Sequence, residues 1–302
     1  MTLLRSEEPT TAPAGAASPG DAGDPSPPVR PAPAAPRGPG LAGRARSVAA
    51  AFGWAALGAA VLVGLWSLLA VQSPNLPTPA EGFASLRKLL GNPFYDNGPN
   101  DKGIGVNLFL SLQRVFIGFA MAAVVGIPLG FLIGGSRRAF QAVNPLVQLL
   151  RPVSPLAWYP IGLVVLKNAP HAAVFVIFLT SLWPMVINTA AGAASVPRDH
   201  RNVAKVFHFG RLAYLRHVVV PHTLPNVVTG MRLSMGIAWM VIVAAEMLSG
   251  GTGIGGFVWE SYNGGSLAKV VAAIFMIGVV GLILDALFRR LGRGVALEEV
   301  HS

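Results

Sequence analysis

Several charged residues fall inside hydrophobic stretches of this sequence, where a charge is costly and by default suggests a functional role. Asp285 needs no such role, because Arg289, four residues later, can pair with it along a helix. Arg114 and Glu246 lie in separate apolar segments. Both are placed near the same predicted membrane boundary, so the two side chains could pair. Arg151 lies in a third apolar segment, which prolines interrupt. These positions indicate residues that line a pathway for an ion or a small solute.

Other chemistry has no support in the sequence. The six histidines lack metal-ligand spacing, because His217 and His222 are separated by Pro221. No carboxylate pair or Ser-His-Asp arrangement stands out, and the phosphate-binding pattern Gly-x-x-x-x-Gly-Lys-Ser/Thr is absent. Residues 251–256 fit Gly-x-Gly-x-x-Gly but follow a membrane helix rather than a strand, so a turn is expected there. We therefore expect no enzyme activity and no bound metal or nucleotide.

The composition is that of a protein that crosses a membrane several times. Of its 302 residues 53% are hydrophobic and only 12% are charged, against roughly 25% in soluble domains. Cysteine is absent, which excludes a disulfide scaffold. The net charge of +10 is dispersed in short clusters without interleaved aromatic residues, so it does not indicate nucleic-acid binding. The expected fold class is all-α, polytopic, with about six transmembrane helices.

The chain divides into a tail, a membrane domain and a short C-terminal extension. Residues 1–46 hold ten prolines and no aromatic residue, so we expect a disordered cytoplasmic tail. The membrane domain is placed at residues 47–294, and residues 295–302 are expected to form a cytoplasmic tail. Prolines at 145, 152, 155 and 160 predict that the third span is kinked or partly unwound. The six predicted spans are 48–71, 108–134, 140–166, 170–194, 224–248 and 267–287.

The distribution of lysine and arginine orients these spans. Thirteen basic residues close to the spans are placed on one side of the membrane. They are Arg37, Arg44 and Arg46 before span one, Arg137 and Arg138 after span two, Arg198, Arg201, Lys205, Arg211 and Arg216 after span four, and Arg289, Arg290 and Arg293 after span six. Five basic residues are placed on the opposite side of the membrane, namely Arg87, Lys88, Lys102, Lys167 and Lys269. Because cytoplasmic loops carry the excess of basic residues, both termini are predicted to be cytoplasmic.

The most informative segment is the basic loop at residues 195–223. It is predicted to form a helix from Pro197, with Val203, Val206, Phe207 and Leu212 on one apolar stripe. Such a helix can lie on the lipid surface. It can equally fit into the groove of a cytoplasmic partner.

The loop resembles the cytoplasmic motif of type I ABC importer permeases, the binding-protein-dependent permeases. That motif reads Glu-Ala-Ala, three residues, Gly, nine residues, Ile, any residue, Leu-Pro. In this sequence its spacing is kept, while the Glu and the Gly are replaced. The matching positions are Asn202, Val203 and Ala204 for the triplet, His208 for the Gly, Val218 for the Ile, and Val220 with Pro221 for Leu-Pro.

Further segments resemble the nitrate, sulfonate and taurine group of these permeases. Residues 151–160 (RPVSPLAWYP), 223–233 and 238–248 carry that resemblance. Residues 92–98 (NPFYDNG) and 253–262 (GIGGFVWESY) are most similar to nitrate-type permeases, whose relatives move bicarbonate or cyanate. The resemblance covers about residues 48–292 and implies the type I ABC importer permease fold in a bacterial inner membrane.

The resemblance implies an importer made of several subunits. The expected partners are a second copy of the chain, two cytoplasmic ATPase subunits, an extracytoplasmic solute-binding protein and membrane lipid. ATP and magnesium are expected on the ATPase subunits, with no cofactor on this chain. The residues expected to couple to the ATPase are Pro197, Asp199, Asn202, Val203, Ala204, Lys205, Phe207, His208, Gly210 and Pro221.

The function implied is import of a small anion, with nitrate as the first expectation. Sulfonate, taurine, bicarbonate and cyanate remain alternatives, as do a secondary transporter driven by an ion gradient and a membrane scaffold. Expected pathway residues are Arg114, Arg151, Trp158, Trp183 and Glu246, although the tryptophans also suit interface anchoring or the core. Small residues at intervals of four predict close helix packing, within the chain or along a dimer seam. They are Gly118, Ala122, Gly126, Gly130 and Gly134.

Overall fold

The computed structural model describes residues 41–73, 75–99, 101–150 and 152–299. Within these ranges the regular structure is helical, apart from a single antiparallel bridge between Asp96 and Lys102. The helices are α1 Leu41–Gln72, α2 Pro79–Gly91, α3 Ile104–Gly134, α4 Arg137–Leu150, α5 Tyr159–Leu166, α6 Ala169–Ala194, α7 Arg198–Val206, α8 Arg211–Tyr214, α9 Val220–Ser249, α10 Ile254–Asn263 and α11 Leu267–Glu299. A 3₁₀ turn, Pro155–Trp158, precedes α5, and a π-helical turn, Leu215–Val219, joins α8 to α9.

Five helical runs in the described residues are long and apolar enough to cross a membrane. They are Phe52–Gln72, Ile104–Gly134, Ala169–Ala194, Arg211–Ser249 and Leu267–Gly292. The third predicted span, residues 140–166, is not among them because it is broken, as its prolines predicted. Since α3 and α6 run parallel, this segment still carries the chain back from the end of α3 to the start of α6. It consists of α4, a break, the 3₁₀ turn and the eight-residue α5. Proline supplies no backbone N–H and fixes its own φ, so Pro155 and Pro160 start new helical turns instead of continuing α4.

Several boundaries differ from the predicted ones. Helix α1 begins at Leu41, within the segment predicted as a disordered tail, and residues 1–40 lie outside the described residues. Helix α9 begins at Val220 rather than Leu224, because Pro221 occupies a first-turn position where no N–H is needed. Helix α11 continues to Glu299, beyond the predicted end of the membrane domain at residue 294.

The core is built from α3, α6 and α9. Helices α3 and α6 run parallel, since Gly118 contacts Ile177 and Gly130 contacts Thr189. Helix α9 runs antiparallel to both, since Asn226 contacts Gly192 and Gly230 contacts Pro184. Helix α11 packs antiparallel to α9, where the Trp239 indole N–H donates to the Ile277 carbonyl at 3.0 Å. The end of the bundle at which α3 begins contains Glu246 and is called the Glu246 end. The opposite end, at which α9 begins, contains Arg289 and is called the Arg289 end.

The stripe of small residues lies between α3 and α6. The structure places Gly118, Ala122, Gly126, Gly130 and Gly134 on this face of α3, and the four glycines all approach α6. A Cβ added at Gly118 would stand 2.8 Å from the Val174 carbonyl oxygen. The stripe is therefore an intramolecular contact in this chain, and it brings the α3 and α6 backbones together.

Gly130→Ala should destabilise the protein because its Cβ would stand 2.5 Å from the Cβ of Thr189 and 2.9 Å from the Val186 carbonyl oxygen. Overpacking of this kind costs about 1–3 kcal/mol. Gly278→Ala, in α11 with open space around its Cα, is the matched control. Thermal unfolding in detergent should show a lower midpoint for the first variant alone. Equal midpoints would contradict this account of the α3–α6 contact.

Candidate functional site

A cavity of about 330 Å³ opens where the third apolar segment breaks. The 3₁₀ turn before α5 forms one wall, while α6 and α9 form the others. Among the described residues that line it, none is charged, and two are tryptophans. The lining residues are Leu150, Val153, Pro155, Trp158, Leu179, Thr180, Trp183, Pro184, Ile187, Asn188, Leu233 and Ile237.

Two polar side chains that line this cavity, Thr180 and Asn188, lie one turn on either side of Pro184 in α6. Pro184 lies inside the helix and has no N–H, so the Thr180 carbonyl lacks its usual helical donor. The Thr180 hydroxyl donates to the Val176 carbonyl at 2.7 Å, and the Asn188 amide donates to the Pro184 carbonyl at 2.7 Å. Irregular backbone at membrane depth is tolerated where it is buried in protein or lines a water-filled cavity. The site therefore combines neutral hydrogen-bonding groups with two indole rings among its lining residues.

The five residues predicted to line a pathway fall into separate places. Trp158 and Trp183 both line the cavity. Arg114 and Glu246 do not line it, since they form a buried ion pair at the Glu246 end, 2.6 Å between Arg114 Nη1 and Glu246 Oε1. The predicted pairing is present, and the two residues lie away from this cavity. Arg151 lies outside the described residues.

Glu246 is almost fully buried, and its carboxylate is well satisfied. The Ser111 hydroxyl donates to Glu246 Oε2 at 2.7 Å, and the Gly255 backbone N–H donates to the same oxygen at 3.1 Å. Arg114 also donates to the carbonyl of Thr252. A buried charge is stable only with such a set of partners. The pair therefore fastens the turn between α9 and α10, and its groups are fully engaged there.

A polar hairpin, residues 93–99 with 101–103, lies at the same end of the bundle. Its two arms are joined by the Gly103 N–H to Tyr95 carbonyl bond at 2.7 Å, and Lys102 forms an ion pair with Asp96. The hydrogen bond from Lys102 lowers the pKa of the Asp96 carboxyl. Burial, with the nearby Asp101 carboxylate, raises the pKa of the Tyr95 phenol. At neutral pH the hairpin thus carries an ionised Asp96 and a neutral Tyr95.

The basic loop forms a second candidate site at the Arg289 end. Pro197 precedes α7, which carries Asp199 in its first turn together with Asn202, Val203, Ala204 and Lys205. Ala204 is buried, whereas Val206 and Phe207 are 73% and 70% exposed. Pro221 lies in the first turn of α9 and borders a cavity of about 310 Å³ between α7 and α9. Exposed apolar side chains on a basic helix make α7 an unpartnered surface in this chain.

His208 adopts a left-handed backbone conformation, with φ of 53°. It follows α7, and the next N–H, that of Phe209, donates back to the Ala204 carbonyl at 2.9 Å. Left-handed backbone favours glycine. His208 stands where the permease loop motif has its Gly, so the structure gives a physical reason for that Gly. Gly210 then provides the N-cap of α8.

Replacing His208 by glycine should stabilise the chain relative to replacing it by alanine. Both variants lose the imidazole, but only alanine keeps a Cβ in the left-handed region, which costs about 1–2 kcal/mol. In an ordinary helix the order is reversed, because alanine is favoured over glycine by about 1 kcal/mol. Thermal unfolding midpoints of the two variants test this directly. A higher midpoint for His208→Ala would show that the turn is not held in this conformation.

Two features of the structure were missed by sequence reasoning. Asp285 accepts from Arg232 Nε at 2.7 Å and lies 3.3 Å from Arg289 Nε, so it bridges α9 and α11, whereas only the Arg289 pair was predicted. Charges near the same end of two spans were the available signal. The polar set around Glu246, with Asn107, Ser111 and Thr252, carried no signal, because single Asn, Ser and Thr residues occur throughout membrane helices. Within the described residues no group of three or more His, Asp or Glu is placed to hold a metal ion.

Comparisons with known proteins relate the chain to transport permeases. The family model described as binding-protein-dependent transport system inner membrane component matches residues 126–297. The nitrate import permease protein NrtB of Synechocystis sp. is 46% identical over 231 residues, which covers 76% of this chain and 84% of that protein. The bicarbonate transport system permease protein CmpB of Synechococcus elongatus is 42% identical over 225 residues, 73% and 81% of the two chains.

A solved structure has the same fold. The inward-facing MetNI methionine ABC transporter contains a chain that matches with a TM-score of 0.55 at 16% identity. The match covers 62% of this chain and 93% of the other. The order and packing of the long helices in this chain are therefore those of an ABC importer permease.

Proposed function

The chain belongs to the family of binding-protein-dependent transport system inner membrane components, and we infer that it is the permease subunit of an ABC importer whose substrate is nitrate. The substrate assignment comes from the relatives with the highest identities reported above. The observation on this chain that carries it is the uncharged cavity between Trp158 and Trp183.

The chemistry of the cavity suits a weakly hydrated anion. Burying an ion without a fixed counter-charge is expensive, so the ion that sheds water most easily enters most readily. Nitrate spreads one negative charge over three oxygens and is planar, which lets it lie against an indole ring while N–H groups contact its edge. Bicarbonate holds its water more tightly and has its own donor. Weak binding of this kind permits passage instead of trapping the ion.

The orientation in the membrane follows from charge. The Arg289 end carries the basic loop and the basic part of α11, so it is proposed to be cytoplasmic, together with both termini. The Glu246 end, with the hairpin and α10, then forms the outer face. Substrate would arrive there from a solute-binding protein and leave at the cytoplasmic end.

The partners proposed are those that the family requires. Two ATPase subunits would bind α7 through its exposed apolar side chains, and they would carry the ATP and magnesium. A second copy of the chain would complete the pathway, as in the type I ABC importer permeases that the chain resembles. Closure of the ATPase subunits on ATP would then move α7 and tilt the attached helices.

Uptake of labelled anions into proteoliposomes tests the substrate. The vesicles should contain the chain and its ATPase subunits, with the binding protein outside and ATP inside. We expect nitrate to enter, and unlabelled nitrate to compete at least tenfold better than bicarbonate, taurine or cyanate. Equal or better competition by any of these three would overturn nitrate as the substrate.

A further inference from the structure

The turn between α9 and α10 is held by side chains from two membrane helices. Three successive backbone N–H groups at the start of α10 point to them. Gly253 N–H donates to Asn107 Oδ1 at 2.8 Å, Ile254 N–H to Ser111 Oγ at 2.8 Å, and Gly255 N–H to Glu246 Oε2 at 3.1 Å. The first N–H groups of a helix lack partners within it and carry partial positive charge. Glu246 supplies the complementary negative charge at this point.

The fit at this turn is close. Gly253 has φ of 129°, and a Cβ there would overlap the Glu246 carboxyl group. A Cβ at Gly255 would overlap the Val243 carbonyl oxygen. The glycines of this segment therefore allow α10 to start directly on the carboxylate.

The same polar set reaches the outer hairpin. The Asn107 amide, whose oxygen accepts from Gly253, donates to the carbonyls of Lys102 and Gly103 at 2.9 and 3.2 Å. The Gly105 N–H donates to the Pro93 carbonyl at 2.7 Å. The hairpin, the start of α3 and the start of α10 are thus joined through buried hydrogen bonds. We call this hairpin together with α10 the outer plate.

Helix α9 connects this plate to the other two sites. It is 30 residues long, which corresponds to about 45 Å. Glu246 lies near its outer end, Leu233 and Ile237 line the cavity, and Val220 follows the π-helical turn of the basic loop. A displacement of the outer plate is therefore applied to α9 at Glu246 and carried along one helix.

We propose that Glu246, held by Arg114 and Ser111, is a positioning residue that transmits docking of the binding protein on the outer plate to the cavity and the basic loop. This inference rests on the proposed function. It assigns to the ion pair a role in signal transfer between the two faces of the membrane, separate from contact with the transported anion.

The test measures ATPase activity of the complete complex with and without nitrate-loaded binding protein. Glu246→Gln keeps the shape of the side chain and removes its charge, and Ser111→Ala removes the hydroxyl that bonds both Glu246 and Ile254. For each we expect the maximal stimulation by binding protein to fall at least tenfold. The rate without binding protein and the half-saturating concentration of binding protein should each change by less than threefold. Asp285→Asn, which breaks a more exposed ion pair between α9 and α11, is the control and should keep full stimulation.

Each other result counts against the inference. Full stimulation in either folded variant overturns it, as does a loss that the Asp285→Asn control shares. A parallel loss of basal activity would indicate general destabilisation and would also overturn it. If Glu246→Gln does not fold, Ser111→Ala decides. A wild-type complex that nitrate-loaded binding protein does not stimulate refutes the proposed function itself, and that failure is recognised in the wild-type arm alone.

Discussion

Deletion of residues 202–210 is expected to abolish association with the ATPase subunits while the chain remains in the membrane. The deletion removes the second half of α7 and the left-handed turn at His208, but it leaves all five long apolar helical runs in place. Val206 and Phe207 are the exposed apolar anchors that a partner groove would cover. Co-purification of the ATPase subunits from membranes measures the loss.

A single substitution sharpens this test. Phe207→Ala should weaken ATPase binding by at least tenfold, since a central aromatic anchor contributes about 2 kcal/mol or more. Phe83→Ala is the matched control, because Phe83 is similarly exposed, at 68%, but lies on α2. Retained association after the deletion would show that α7 lies on the lipid surface and does not couple to the ATPase.

Thr180→Trp is expected to stop anion transport with little effect on assembly. Thr180 lines the cavity beside Trp183, so a third indole would occupy the space through which the anion passes. We expect nitrate uptake to fall at least tenfold, while basal ATPase activity and co-purification are maintained.

Thr229→Trp provides a closely matched control. Thr229 is an exposed residue of α9 whose hydroxyl donates to the Pro225 carbonyl at 2.9 Å, as that of Thr180 does to Val176. It is absent from the described lining of the cavity. Unchanged uptake in Thr180→Trp, or an equal loss in Thr229→Trp, would show that the cavity is not the pathway.

The long helices were predictable because each needs only a run of apolar residues. The proline-rich third segment was predicted to be kinked or partly unwound, and the structure divides it into α4 and α5. Whether a break kinks a helix or divides it depends on the neighbours that satisfy the freed backbone, and these belong to α6 and α9. The stripe from Gly118 to Gly134 could be placed on one helix face, but its partner could not be identified from spacing alone.

The sites were predictable only in part. Trp158 lies in a segment that resembles known permeases, whereas Trp183 lies in none of the segments that carry the resemblance. The Arg114–Glu246 pair was predicted from the cost of charge in a membrane. The role of that pair could not be inferred, because Asn107, Ser111 and the backbone of the α9–α10 turn approach it only in the folded chain. Conversely, the left-handed backbone at His208 explains a motif position at which this sequence departs from glycine.

The central claim is that ATP hydrolysis on separate subunits drives nitrate through this chain. It is tested most directly by uptake of labelled nitrate into proteoliposomes from which one component at a time is omitted. We predict ATP-dependent uptake with the chain, the ATPase subunits and the binding protein together, and none when either partner or ATP is left out. Nitrate uptake by the chain alone, driven by an imposed proton or sodium gradient, would contradict the account and identify a secondary transporter.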